Sequence, residues 1–244
     1  MYQPHVFTLT EDGYRGPVPS WRPGEASVWL VDTDRAAGAA RSLAPGILDA
    51  SELARVEKLV FPADRDCYTA AHVALRLLLG AHQGVAPDAV RLTRERCPSC
   101  GGPHGRPATG GGTHFSLSHT RGVALLAFAD APVGVDVERV PEARVVAEIS
   151  GQLHPAEAAE LSALPQPERL AAFARVWTRK EAYLKGEGVG LAGGLNHEHV
   201  GTGPLPLDPP GWSVTDVAVP GGYAAAVAVG TAGRAPAEGH DPRK

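Results

Sequence analysis

The segment Phe173–Gly190, FARVWTRKEAYLKGEGVG, constrains this chain more than any other. Leu170, Phe173, Ala174 and Trp177 recur at helical spacing, which predicts an amphipathic helix with one buried face. Beyond that stripe come Lys180, Glu181 and Lys185, with Glu181 and Lys185 four positions apart and so neighbours on one face. Gly186 and Gly188 are expected to stop the helix. Alone, this Glu–Lys pair reads as a surface ion pair. An upstream run, Gly134-Val135-Asp136-Val137-Glu138, adds weight to a chemical reading. Its alternation predicts a strand with Asp136 and Glu138 on one face. Adjacent carboxylates repel, and burying them is costly without a cation between them. An oxygen-only pair suits Mg²⁺, with Mn²⁺ as the alternative, and Glu181 becomes a third carboxylate if helix and strand meet.

Composition removes several function classes. A net charge of -4 and no basic run argue against nucleic-acid binding. No apolar run reaches membrane-spanning length, and the polar start MYQPHVFTLT does not read as a secretion signal. Three cysteines, an odd number, favour a reducing compartment over a disulfide framework, so the cytoplasm is the expected location. At 244 residues and 43% hydrophobic, the chain has ample length for a core of one medium or two small domains.

Residues 1–26 read as an irregular lead-in, followed by a strand over 26–31. A helix is expected over Pro45–Phe61 and another from Pro62 to Gly80. Short strands follow near 90–93, 114–117, 123–128 and 133–138. In the second half, His154-Pro155-Ala156-Glu157 echoes Phe61-Pro62-Ala63-Asp64 as a helix start. A long helix from Pro167 and strands over 213–217 and 223–229 complete it. A helix-then-strands pattern occurring twice predicts an α+β protein of two similar halves, 1–131 and 132–230. The remainder, 231–244, reads as a disordered tail.

Two further segments carry reactive side chains. Cys97-Pro98-Ser99-Cys100, with His104 close behind, has the form of half a zinc site. A structural zinc takes four ligands, and Cys67 falls in a predicted helix, so the segment reads first as a glycine-turn loop. Ser118-His119 sits where a strand gives way to a polar turn; adjacent residues point apart and no G-x-S-x-G elbow is present, so it is no triad. Gly110-Gly111-Gly112 lacks the following Lys-Ser/Thr of a phosphate loop.

Gly134–Glu138 followed about 40 residues later by Trp177–Lys185 resembles the paired signature of the 4'-phosphopantetheinyl transferases of the Sfp type. His104-Gly105-Arg106-Pro107 and Phe115-Ser116-Leu117-Ser118-His119-Thr120 extend the resemblance, which spans roughly Glu52 to Leu191. It implies a pseudo-twofold α+β fold and a secondary-metabolism member of actinobacterial cast, serving polyketide or nonribosomal peptide synthesis. The implied reaction moves the 4'-phosphopantetheine arm of coenzyme A to a serine of an acyl or peptidyl carrier protein, releasing 3',5'-ADP. Asp136, Glu138 and Glu181 would hold Mg²⁺; Glu181, Lys185 and Asp136 would be catalytic; Arg106, Pro107, Ser118, His119, Lys180 and Lys185 would contact coenzyme A. The family often has arginines after the Asp-Arg that opens the first-half helix, where this chain has Asp66 and Cys67, so the 3'-phosphate grip would fall to Arg55 or Arg76. A monomer of two similar halves is implied. Two other readings are a Mg²⁺-dependent phosphohydrolase acting on a nucleotide or CoA-like pyrophosphate, and a non-catalytic coenzyme A- or carrier-binding protein.

Overall fold

The computed structural model describes residues 1–19, 21–190 and 194–231, so all of the expected tail except Thr231 lies outside the described residues. In chain order the first elements are β1 (His5–Phe7), β2 (Ser27–Asp32), α1 (Thr33–Ile47), α2 (Ala50–Lys58), α3 (Pro62–Gln83), β3 (Leu92–Arg94), β4 (Pro107–Thr109), β5 (His114–Thr120) and β6 (Val123–Ala129). After a turn at 130–132 come β7 (Val133–Arg139), α4 (Ala143–Ile149), α5 (Pro155–Ala163), α6 (Gln166–Glu187), β8 (Trp212–Asp216) and β9 (Tyr223–Gly230). The class is α+β, as expected. One sheet runs β1-β2-β6-β5, a second runs β7-β9-β8, and β3 and β4 form a separate hairpin.

The two large sheets pack face to face, and strand alternation sorts the layers. On β6, Ala124, Leu126 and Phe128 face α1 and α3, while Val123, Leu125, Ala127 and Ala129 join a core shared with the second sheet. Val133, Val135 and Val137 of β7 enter that shared core from the other side. The opposite face of β7, carrying Gly134, Asp136 and Glu138, is left for α6. The expected pairing of Asp136 with Glu138 on one strand face follows from this register.

Helix α6 lies directly on β7, and two glycines permit it. A Cβ on Gly134 would stand 1.9 Å from the Ala182 carbonyl oxygen, and one on Gly186 would stand 2.4 Å from the Trp212 ring. Gly186 therefore does not end the helix as expected. It lies in the last turn, and the chain leaves the helix at Gly188 in the left-handed region, φ +81°.

Two sequence expectations need correction. The helix expected over Pro45–Phe61 is two helices: α1 begins after Asp32, whose side chain accepts from the Arg35 N–H, and runs through Pro45 to Ile47. Its buried stripe consists largely of Ala36, Ala37, Ala40 and Ala44, too weakly apolar to stand out as a pattern, and Pro45 forfeits only a last-turn hydrogen bond. The supposed lead-in is also partly ordered: β1 pairs in parallel with β2, and Phe7 stacks on Tyr14 with ring centroids 4.6 Å apart.

Candidate functional site

A cavity of about 1060 Å³ opens at the seam of the two sheets, between β5, β7, α6 and the loop before β4. Its lining brings together Arg106, Pro107, Ser118, His119, Asp136, Glu138, Glu181 and Lys185. Residues spread over more than 75 positions of sequence thus share one surface, because β5 and β7 are the facing edge strands of their sheets. Ser116 Oγ accepts the otherwise orphaned edge N–H of Val135 at 3.1 Å and ties the two edges.

The motif on α6 divides by rotation about the helix. Trp177, Glu181 and Lys185, each four residues from the next, face the cavity. Arg179 turns into the core, where its guanidinium donates to both Asp216 carboxylate oxygens at 2.7 and 2.6 Å. Lys180 also turns away: it is 3% exposed and pairs with the fully buried Glu157 at 2.8 Å. Expected to contact coenzyme A, Lys180 instead neutralises the carboxylate that caps α5, and it does not line the cavity. Helical rotation of about 100° per residue separates it from Glu181.

At the inner end, Lys185 Nζ donates to Asp136 Oδ1 at 2.6 Å and to Ser118 Oγ at 3.0 Å, and the Ser118 hydroxyl donates to Asp136 Oδ1 at 2.8 Å. Asp136 is 2% exposed, and its Oδ2 is buried without a hydrogen-bond partner. Burial first, then the charges of Asp136 and Glu181, push Glu138 up to about 7. Burial and the Asp136 charge likewise raise Glu181 above the ordinary carboxylate range. Three carboxylates and one ammonium therefore share this end of the cavity, although the carboxylate oxygens do not all close to within 4.8 Å of one another. An orphaned carboxylate oxygen and two neighbours resisting ionisation are what a hard divalent cation relieves, so the donor set fits Mg²⁺.

His119 is the penultimate residue of β5 and is exposed on the cavity wall. Desolvation, then His72 and Lys185, lower its proton affinity, to about 4, leaving a neutral imidazole at pH 7. Arg106 lines the cavity with its guanidinium already engaged: it donates to Glu95 Oε2 at 2.7 and 3.0 Å and to the Gly186 carbonyl at 2.6 Å. Glu95 reaches it because the β3–β4 hairpin pairs Arg94 with Pro107.

Neither arginine considered for the 3'-phosphate lines the cavity. Arg55 is exposed on α2. Arg76 is buried on α3, where Asp49 and Glu52, the capping pair of α2, hold its guanidinium at 2.6 and 2.5 Å. The cavity instead offers Arg94, which sequence reading passed over because no spacing marks it. Trp177, which opens the second motif, and His72, which reads from sequence only as a helix position, line the wall as well.

An open seam lined by carboxylates, a lysine and an imidazole whose proton affinities are shifted by burial and neighbouring charge has the make-up of a small-molecule site. The profile of the 4'-phosphopantetheinyl transferase superfamily matches residues 132–210. The chain is 31% identical over 218 residues to 4'-phosphopantetheinyl transferase HetI of Nostoc sp., covering 84% of this chain and 87% of that protein. It is 29% identical over 181 residues to the putative 4'-phosphopantetheinyl transferase slr0495 of Synechocystis sp., covering 70% and 68%. To 4'-phosphopantetheinyl transferase Sfp of Bacillus subtilis it is 31% identical over 80 residues, 32% of this chain and 35% of that one. The chain belongs to the 4'-phosphopantetheinyl transferase superfamily.

Proposed function

We propose that this enzyme transfers the 4'-phosphopantetheine arm of coenzyme A to a serine of an acyl or peptidyl carrier protein in a Mg²⁺-dependent reaction, and that it is of the Sfp type. The observation that carries the reading is that Asp136, Glu138 and Glu181 line one cavity with Lys185, which donates to Asp136 Oδ1, while Asp136 Oδ2 is buried and unpartnered. Those three carboxylates would hold the metal, which when bound neutralises the pyrophosphate of coenzyme A. The carrier serine oxygen bonds to the β-phosphorus, and the bond from that phosphorus to the bridging oxygen breaks. The electron pair leaves with 3',5'-ADP. We assign Glu181, which lines the cavity beside the site of transfer, as the group that takes the serine proton.

Around that exchange, Lys185 supplies positive charge at the inner end, His119 presents a hydrogen-bond donor to phosphate oxygens, and Ser118 would do the same once its hydroxyl turns from Asp136. Arg106 and Pro107 form the opposing wall. The volume of about 1060 Å³, just above the roughly 300–1,000 Å³ usual for small-molecule sites, suits a ligand as long as coenzyme A. We further propose the division 1–131 and 132–230 as two halves of one monomer; each contributes a 22-residue helix and a sheet, and the family match begins at residue 132. Among the described residues no helix is long and apolar enough to cross a membrane. The three free thiols support the assignment of the enzyme to the cytoplasm.

Intact-protein mass spectrometry of an apo carrier protein incubated with the enzyme, coenzyme A and Mg²⁺ tests the reading. One added phosphopantetheine arm, lost in EDTA, is expected. Free phosphate with an unmodified carrier would identify a phosphohydrolase. Coenzyme A bound with no turnover on polyketide, peptide or fatty-acid carriers would identify a binding protein.

A further inference from the structure

The loop before Arg106 holds a second cluster, distinct in chemistry from the carboxylate centre. Cys97, Cys100 and His104 each bring one donor atom within 4.8 Å of the other two. All three cysteines of the chain are free thiols, so no disulfide competes for the geometry. The loop is tightly built: the Gly101 N–H donates to the Cys97 carbonyl and the Cys97 N–H to the Gly102 carbonyl, both at 2.8 Å. The Gly102 N–H also donates to Cys100 Sγ at 3.4 Å. A Cβ on Gly102 would stand 2.9 Å from the His104 ring and 3.3 Å from Cys100 Sγ, so a bare backbone is what lets both side chains close on one point. Backbone donors oriented on sulfur are the outer shell that fixes thiolate ligands.

We propose that Cys97, Cys100 and His104 bind a zinc ion, with solvent in the fourth position. Two sulfurs and an imidazole select a borderline-soft tetrahedral metal and exclude Mg²⁺, which takes oxygen. In tetrahedral zinc sites with bonds of about 2.3 Å to sulfur and 2.0 Å to nitrogen, donor atoms stand roughly 3.6–3.8 Å apart. Cys100 Sγ and His104 Nε2 are 2.9 Å apart, and both residues are exposed, so small side-chain rotations reach that spacing. Metal binding displaces the two thiol protons to solvent and leaves the His104 proton on Nδ1.

The ion would brace one wall of the cavity. His104 lines that wall, and the loop runs directly into Gly105-Arg106. The base of the loop is closed by the Gly105 N–H to the Glu95 carbonyl at 3.0 Å and the Glu95 N–H to the Arg106 carbonyl at 2.9 Å. Zinc across residues 97–104 locks the hairpin end that carries the Glu95–Arg106 pair. This assignment stands independently of the transferase reading, because its test reads metal and not turnover.

Protein purified without chelator should contain about one zinc per chain. Cys100→Ser and His104→Ala, both at exposed positions, should each lose it, whereas Cys67→Ser should keep it. Cobalt exchanged into the wild type should give thiolate-to-metal charge-transfer absorption that both variants lack. Removing zinc should speed amide exchange over residues 95–106 by about tenfold or more. Any of three results overturns the proposal: zinc below about a tenth per chain with no cobalt absorption, a Cys97–Cys100 disulfide in the native mass, or full zinc retained by both loop variants.

Discussion

Glu138 is a solvated strand residue by spacing and something else in its surroundings. Its proton affinity is raised to about 7 from 4.5, so the folded protein binds a proton there that the unfolded chain has released. The stabilisation given by protonated Glu138 is full below about pH 4.5 and is lost as pH rises through about 7. Glu138→Gln mimics the protonated form. Without metal it should match wild type near pH 4.5 and exceed it at pH 8 by roughly 1–2 kcal/mol, allowing for partial exposure, or a few degrees in melting temperature. Parallel melting curves from pH 4.5 to 8 would remove Glu138 from the charge cluster. Lys180 carries the opposite lesson. Its neighbour Glu181 was legible as a site residue through the four-residue spacing to Lys185, but side-chain direction one position away depends on where the helix packs. Lys180→Met leaves Glu157 buried and unpaired and should cost about 3 kcal/mol in urea unfolding. Coenzyme A affinity measured by calorimetry on the folded variant should stay within about twofold of wild type, whereas a direct phosphate contact would cost about tenfold or more.

At the scale of elements, the α6–β7 contact decides whether a site exists. Both motifs were readable because alternation and helical spacing are local rules, and both elements formed where those rules placed them. Their meeting was not readable from spacing: it depends on Gly134 and Gly186 lacking side chains where backbone meets backbone. Gly134→Ala forces a methyl group against the Ala182 carbonyl, with no flexible side chain to yield. It should destabilise the fold by about 3 kcal/mol. Transfer activity should fall by more than the folded fraction, because moving α6 off β7 parts Glu181 from Asp136. Activity per folded molecule equal to wild type would show that the helix position is not critical. The α1 helix was missed for the converse reason, since an alanine stripe packs well and signals weakly.

Across the whole molecule, the cavity draws Ser118, His119 and Arg106 from one sheet and its hairpin, and Asp136, Glu138, Glu181 and Lys185 from the other sheet and its helix. Joining distant segments in this way is a tertiary property, which is why sequence located most of the residues but not Arg94, Glu95 or the engagement of Arg76. It also makes ligand binding a clamp on both halves. Anything that binds the native seam and not the unfolded chain stabilises by mass action, about 2.7 kcal/mol at a hundredfold excess over its dissociation constant. For a chain of this length that is roughly 5–10 °C in melting temperature. Coenzyme A with Mg²⁺ should therefore raise the melting temperature by more than the sum of the two added singly, since on the proposed reading Asp136, Glu138 and Glu181 would hold the metal and the metal would neutralise the pyrophosphate of coenzyme A. Asp136→Asn should abolish that excess while keeping part of the shift from coenzyme A alone. A strictly additive response in the wild-type protein would mean that metal and coenzyme A occupy separate places, and the seam would then not be the site of transfer.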